Sequence, residues 1–386
     1  MRERAQFALP PSGLALDPAD EILLDAGGRV RRLRLTAIDD AGARRMEAVA
    51  TDPSIYETFV GAGRATAPVE TLRQPGRALV EFLDLPLLSE AQNPSAPLVA
   101  AYADPWPGAV AVLKDGTANA TLTRPAVIGE TVGDFWSGPL DRWDRVNELW
   151  VRLVGGTLSS AEDVAVLAGG NALAVRNGDG EWEIVQFAAA ELVGPDTWRL
   201  TRLLRGRRGT EQAMRSPVAA GARVVVLNEA LGQLALDAGQ ARLPHTYIYG
   251  PAGKPVSDPA FQTVTLAFAA EGLTPPAPCH VRHAWAPNGD LTISWLRRDR
   301  APAADHLTLA ETPLSETSES YDLEILSGGA VIRTFTAVPQ HSQIYTASQQ
   351  AADFPSGLPN PLIVRVYQRS SVLGRGRPKT ESLYVR

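Results

Sequence analysis

The stretch from residue 171 to residue 210 constrains the fold most strongly, because it predicts three consecutive antiparallel strands. Asn177-Gly-Asp-Gly180 tolerates positive φ and separates two runs rich in β-forming residues. Gly194-Pro-Asp-Thr197 marks the second reversal. Leu203 and Leu204 interrupt the alternation of apolar and polar residues in the third run, which predicts a β-bulge there. A chain organised around such a meander is expected to be all-β.

Composition agrees with a folded chain made of many short strands. The 386 residues include 33 Gly and 30 Pro, and 45% are hydrophobic against 21% charged. This length predicts two or three domains. The net charge of -6 does not favour general binding to nucleic acid or to an anionic membrane.

Cellular context can also be predicted from the sequence. No apolar run approaches the roughly 18 residues that span a bilayer, and the polar start Met1-Arg-Glu-Arg4 does not resemble a signal peptide. We therefore expect no transmembrane segment and synthesis in the cytoplasm. Because Cys279 is the lone cysteine, no intrachain disulfide can form.

A dense arginine cluster ends the meander, and it allows two interpretations. It comprises Arg199, Arg202, Arg205, Arg207 and Arg208, punctuated by Gly206 and Gly209 and followed by Glu211. Such a cluster can bind nucleic acid. The acidic chain favours the other interpretation, in which arginine forks brace a loop or a subunit interface. We assign that bracing role to Arg202, Arg205, Arg207, Arg208 and Glu211.

Several motifs carry a resemblance to a known family. Trp182-Glu-Ile-Val-Gln-Phe187 and Leu203-Leu-Arg-Gly-Arg-Arg-Gly-Thr-Glu211 resemble the C-terminal part of the large tail-tip or baseplate (host-specificity-like) proteins of bacterial gene transfer agents and related tailed phages. Leu83-Asp-Leu-Pro-Leu-Leu88 and Pro105-Trp-Pro-Gly108 occur at the spacing of the same family, so the resemblance covers about residues 10 to 245.

The resemblance implies a structural, non-enzymatic protein of the virion or particle tail tip. It implies assembly with other tail or baseplate proteins, such as the hub and the distal tail protein, and a homotrimer around the tail axis. The implied role is attachment to, or passage through, the bacterial envelope, with a surface glycan or receptor as the outer partner.

The N-terminal part resembles an incomplete domain. Residues 1–58 contain three predicted strands, Glu21–Leu24, Arg31–Ile38 and Arg44–Thr51, with Leu33, Leu35 and Ala37 expected on one face. So small a sheet is marginal alone, so we expect a partial hub-type β domain completed by a neighbouring protein or another copy. Residues 59–78 are predicted to be a linker.

Two further domains are predicted. Residues 79–272 contain enough strand candidates for a central sandwich or barrel, with one short helix near Ser95–Tyr102. Residues 277–386 have the length and layout of a fibronectin type III-like sandwich. In that sandwich Leu291–Trp295 would be the second strand, with Trp295 as the core aromatic residue.

The sequence contains few signs of catalytic chemistry. No nucleophile elbow, Walker loop or dinucleotide fingerprint is present, so no cofactor is predicted. Cys279, His280 and His283 fall short of a four-ligand zinc site, so no metal is predicted either.

An alternative function is a module that binds or cleaves cell-surface carbohydrate. Asp134, Asp141 and Asp144 lie near Trp136 and Trp143, a composition compatible with a glycosidase, but acids beside turns are more often solvated or capping residues. Glycan binding without cleavage is better supported, because aromatic rings offer apolar faces for sugars. The candidate contacts are Trp106, Trp136 and Trp143, although Trp106 between prolines is also typical of a packed loop anchor.

Overall fold

A computed structural model describes residues 3–10, 15–52, 54, 74–302 and 312–385. The chain forms two compact units, Met1–Leu72 and Arg73–Arg386. The described secondary structure is almost entirely antiparallel strand, which confirms the all-β expectation. The helices among the described residues are short, α1 (Asp163–Leu167) and α2 (Ala347–Asp353). No described helix has the length and apolarity needed to cross a bilayer.

The first unit contains a four-stranded antiparallel sheet with one more strand than predicted. Its strands are β1 (Arg4–Leu9), β2 (Glu21–Asp25), β3 (Val30–Asp40) and β4 (Arg44–Ala50), in the order β1-β4-β3-β2. The prediction missed β1, although Ala5, Phe7 and Leu9 alternate with exposed residues along it. The buried core consists of Leu33, Leu35, Met46 and Ala48.

A bulge corrects the predicted face of β3. Leu35 pairs with Ala48 but Ala37 pairs with Glu47, so Thr36 is the extra residue. The insertion reverses the alternation, and Ile38 rather than Ala37 packs on the apolar core. Most of the predicted linker at 59–78 lies outside the described residues.

The second unit begins with two small sheets. Its first strands are β5 (Leu79–Leu83), β6 (Leu98–Tyr102), β7 (Val110–Lys114) and β8 (Thr117–Leu122). The helix predicted near Ser95–Tyr102 is wrong, because Leu98–Tyr102 forms β6. This strand is buried on both faces and therefore lacks the alternation that marks a half-exposed strand.

A closed six-stranded barrel follows. It is built from β9 (Ile128–Thr131), β10 (Leu149–Leu153), β11 (Ala172–Arg176), β12 (Trp182–Gly194), β13 (Thr197–Arg207) and β14 (Arg223–Val226), in the order β10-β13-β12-β11-β14-β9. β15 (Gly232–Gln233) pairs with β6, and β16 (His245–Pro251) and β17 (Gln262–Leu266) complete the sheet β17-β16-β7-β8.

The predicted bulge in β13 lies slightly beyond the predicted position. Leu203 packs inside the barrel and Leu204 packs outside it near α1, so both are buried on opposite faces. This explains the break in alternation without a bulge. The extra residue occurs between Leu204 and Arg207, where two steps along β12 oppose three along β13.

The C-terminal strands form the predicted sandwich. They are β18 (Cys279–Trp285), β19 (Leu291–Leu296), β20 (Tyr321–Ser327), β21 (Ala330–Val338), β22 (Ser342–Tyr345), β23 (Leu362–Ser370) and β24 (Gly374–Leu383). The sheets β18-β19-β22 and β21-β20-β23-β24 have the strand order of a fibronectin type III domain. Trp295 is 1% exposed, and its ring meets that of Tyr321 edge-on at 5.2 Å.

Candidate functional site

The arginine loop, residues 205–213, leaves the barrel at the end of β13, and its shape depends on two glycines. Gly206 has φ +54° and Gly209 has φ +79°. A Cβ on Gly206 would lie 2.8 Å from Glu211 Cα, and one on Gly209 would lie 2.8 Å from Pro276 Cβ. Only glycine combines this backbone conformation with so close an approach.

Arg205 turns into the barrel end and is fully enclosed by partners. Its Nε and Nη2 donate to the two carboxylate oxygens of Glu183 at 2.7 and 2.9 Å, and its Nη1 donates to the Trp136 carbonyl at 2.7 Å. The guanidinium carbon lies 3.8 Å from the centre of the Phe135 ring. Because the side chain is 0% exposed, these contacts replace its entire hydration.

Asp144 completes this buried charge cluster. Its Oδ2 lies 3.6 Å from Arg205 Nη1, and its Oδ1 accepts from the backbone N–H groups of Val146 and Asn147 at 3.1 and 3.0 Å. Its side chain is 1% exposed. The geometry therefore assigns Asp144 to bracing a loop, whereas Asp141 is exposed and Asp134 accepts from the Ala220 N–H at 3.1 Å.

Two other arginines of the cluster brace the barrel. Arg202 forms an ion pair with Asp163 at the start of α1, and its guanidinium lies 5.4 Å from the centre of the Trp143 ring. Arg207 Nε donates to Gln186 Oε1 at 2.9 Å.

The remaining loop residues contact the C-terminal sandwich and the segments beside it. Arg208 donates to the Pro302 carbonyl, and Glu211 forms an ion pair with Arg298. Gln212 Nε2 donates to the Pro378 carbonyl at 2.6 Å. The loop therefore fastens the sandwich to the barrel within this unit.

The connector that leads into the sandwich is held between two glycines. Gly209 packs on Pro276, and a Cβ on Gly376 in β24 would lie 2.5 Å from the Pro275 carbonyl oxygen. That carbonyl accepts from the Arg377 N–H at 2.9 Å. Through its side chain, Arg377 also pairs with Glu271 at 2.8 Å.

A cleft of about 510 Å³ adjoins the arginine loop. Its apolar wall comprises Val80, Phe82, Trp182, Tyr249, Val264, Leu266 and Phe268. Its polar wall contains five carboxylates and four arginines: Glu81, Asp84, Asp179, Glu181, Glu271, Arg176, Arg208, Arg300 and Arg377. A concave apolar site with a few convergent polar groups is the usual form of a ligand pocket.

Two carboxyl groups in this cleft titrate abnormally. Burial raises the pKa of Asp84 to about 6, although the carboxylate accepts from three backbone N–H groups, those of Ala269 (2.6 Å), Ala270 (3.1 Å) and Glu271 (2.9 Å). Burial also raises the pKa of Glu81, against the opposing charges of Arg223 and Arg176. Such groups cluster at functional sites.

A second groove, of about 1090 Å³, also borders the loop, and several of its charged side chains pair with one another. Among them, Lys379 and Glu381 are 3.2 Å apart, and Arg297 and Glu319 are 3.4 Å apart. Cys279 also lines this groove, and burial raises the pKa of its thiol.

The three tryptophans predicted as glycan contacts do not form one site. Trp106 is half-buried against the core beneath β7, as expected of a loop anchor. Trp143 is half-buried beside α1 under Arg202, whereas Trp136 is 52% exposed. Within the described ranges, no group of three or more His, Cys, Asp and Glu side chains is placed to hold a metal ion.

The cleft residues come from segments that sequence reasoning did not connect. Glu81 and Asp84 lie on or just after β5, Trp182 begins β12, and Tyr249 lies on β16. No local spacing links these positions, because the topology alone brings them together. The available signal was Leu83-Asp-Leu-Pro-Leu-Leu88, whose Asp84 is one of the two perturbed carboxyl groups.

The fold and the site together define a multidomain β-protein in which the arginine loop fastens a C-terminal sandwich to a closed barrel. Residues 126–225 match the family model described as Rcc01698-like, C-terminal. This range coincides with the closed barrel from β9 to β14, including the hairpin that bears the arginine cluster. No curated protein sequence matches the chain.

Solved structures give only distant likenesses. The FN1–FN3 domains of chicken CNTN1 are 14% identical over 67% of this chain, with a TM-score of 0.21, and the alignment spans 66% of that chain, just under two thirds. A fragment of titin with several consecutive domains is 8% identical over 80% of this chain and 99% of its own length, with a TM-score of 0.18. These scores are too low to carry an argument, so the sandwich assignment rests on its strand order.

Proposed function

We propose that this chain is a non-enzymatic structural component of a phage-like tail tip or baseplate. The supporting observation is that the family match and the hairpin motifs fall on the same element, the closed barrel with its arginine loop. In this proposal the protein assembles with hub and distal tail proteins, as a homotrimer around the tail axis, at the tip of a virion or gene-transfer-agent particle. It contributes to tail assembly and to attachment to, or passage through, the bacterial envelope.

The contacts of the arginine loop support a role in rigidity rather than in nucleic-acid binding. Arg205 is buried among carboxylates, Arg202 pairs with Asp163, and Arg208 donates to a backbone carbonyl. Guanidinium groups engaged in this way are poorly placed to neutralise phosphates. The isolated protein should therefore show no tight, steeply salt-dependent binding to duplex DNA.

Particle incorporation tests the proposal. The gene is deleted from a strain that makes the particles, and the wild-type chain or a Gly209→Ala variant is supplied in trans. Mass spectrometry and electron microscopy of purified particles should find the wild-type chain at the tail tip, and particles without it should fail to attach to cells. Complete, infective particles that lack the chain would refute the proposal.

A further inference from the structure

The cleft beside the arginine loop is a preformed cavity, and one of its lining residues, Gln212, also helps to fasten the barrel to the sandwich. Its volume of about 510 Å³ lies within the range of small-molecule sites. Its walls come from β5, β12, β16 and β17 together with the connector before the sandwich, so its shape is fixed by several packed elements.

The apolar wall offers ordered aromatic surface. Phe82 packs edge-on against Tyr249, with 5.7 Å between the ring centres, and its ring is tilted against that of Phe268 at 6.2 Å. Tyr249 lines the cleft, and burial together with the nearby charge of Glu81 raises the pKa of its hydroxyl. This wall combines apolar ring faces with a polar group that a ligand can engage.

The polar wall supplies acceptor capacity, and its carboxylates and arginines are nearly equal in number. Glu81 Oε1 forms an ion pair with Arg223 Nε at 2.7 Å, whereas Glu81 Oε2 is 3.9 Å from Arg176 Nη1, too far for a hydrogen bond. Oε2 can therefore accept from a ligand hydroxyl. The arginines on this wall are already engaged, for example Arg300 with Glu316 at 3.0 Å and Arg377 with Glu271 at 2.8 Å.

A ligand that matches these walls has flat apolar faces, hydroxyl donors and no net charge. An anionic ligand would have to displace carboxylates from the cleft arginines, and a cationic ligand would have to displace arginines from the carboxylates. A pyranose ring presents C–H faces to an aromatic wall and hydroxyl groups at its rim, so it meets all three conditions.

We propose that the cleft binds a short neutral oligosaccharide, with sugar rings against Phe82 and Tyr249 and a hydroxyl donated to Glu81. This deepens the proposed function and rests on it for the source of the sugar, a bacterial surface glycan. Asp84 accepts from three backbone N–H groups and Glu81 pairs with Arg223, so we expect these two carboxyl groups to hold the sugar rather than to cleave it.

The test is a titration of the full chain with three neutral probes: cellotriose, maltotriose and tri-N-acetylchitotriose. Binding is followed by isothermal calorimetry and ligand-observed NMR. At least one probe should bind saturably with a dissociation constant of about 1 mM or below. Glu81→Gln should weaken binding about tenfold, because it replaces an acceptor with full charge by a neutral amide.

Two further variants separate loss of the site from loss of the fold. Ala267 is exposed and lines the cleft, so Ala267→Trp should block binding while leaving the thermal melt unchanged. Trp136→Ala removes the exposed tryptophan outside the cleft and should leave binding unchanged. A flat titration with all three probes, or binding that is lost in Trp136→Ala but kept in Ala267→Trp, would overturn the saccharide proposal.

Saccharide binding by the cleft and incorporation of the chain into particles can be tested independently. Particle incorporation of Ala267→Trp at the wild-type level, with saccharide binding lost, supports both proposals. Saccharide binding by a chain that is absent from particles would support the cleft and reject the tail-tip assignment.

Discussion

Replacing Arg205 by methionine should be among the most destabilising changes in the barrel. The substitution keeps an apolar stem over Phe135 but leaves Glu183 and Asp144, each with a side chain 1% exposed, as unpaired buried carboxylates. Breaking a buried ion pair by removing one partner costs about 3–5 kcal/mol. The expected result is a lower urea midpoint for Arg205→Met, measured by tryptophan fluorescence and far-UV circular dichroism.

Two comparisons make the reasoning refutable. Arg199 lies on the same strand, but its pair with Glu191 is exposed to solvent, so Arg199→Met should leave the midpoint close to wild type. Adding Glu183→Gln and Asp144→Asn to Arg205→Met should recover part of the loss, because the buried charges then disappear together. Equal urea midpoints for Arg205→Met and Arg199→Met would show that burial of the charge cluster does not determine the loss of stability.

Three further predictions concern other parts of the second unit. The pKa of Asp84 is about 6 in the folded state against its ordinary 3.8, so between these pH values the native state retains a proton that the unfolded state has released. The free energy of unfolding should therefore fall as pH rises from about 4 to 6. Asp84→Asn should flatten that part of a plot of unfolding free energy against pH. Gly209→Ala should cost about 1–3 kcal/mol, because alanine at φ +79° also clashes with Pro276, whereas Gly178→Ala, with no atom near the added Cβ, should be nearly neutral in the same melt. Trp295→Ala should cost about 3–5 kcal/mol in denaturant unfolding, since the ring is 1% exposed in the sandwich core; a loss under about 1 kcal/mol would contradict that assignment.

Local patterns predicted strands well where one face is exposed. The strand Leu291–Leu296 alternates cleanly and is present. The hairpin around Asn177 is also present, but its turn residues marked it, because the start of β12 is buried on both faces. β6 was predicted as a helix because both of its faces are buried, which removes the period of two. The bulge at Thr36 escaped prediction because a single inserted residue depends on cross-strand pairing, which local sequence does not encode.

The site could be predicted only where its residues are close in sequence. The arginine cluster was visible as a cluster, but the burial of Arg205 was not, because its partners Glu183 and Asp144 come from β12 and a distant loop. The tryptophans chosen by residue type are scattered, and the aromatic cleft is formed by Phe82 and Tyr249 from separate sheets. Residue type suggests a chemistry, but only the topology decides which groups meet.

The close packing of Gly209 and Gly376 against the proline connector has a mechanical consequence. A free connector would act as a tether, and a pull on the C-terminal sandwich would first extend it. Here the connector is clamped between the barrel loop and β24, and ion pairs such as Arg298 with Glu211 bridge the same junction. A tensile load on the sandwich would therefore pass directly into the long β12–β13 hairpin. The barrel and the sandwich would then move as one rigid body.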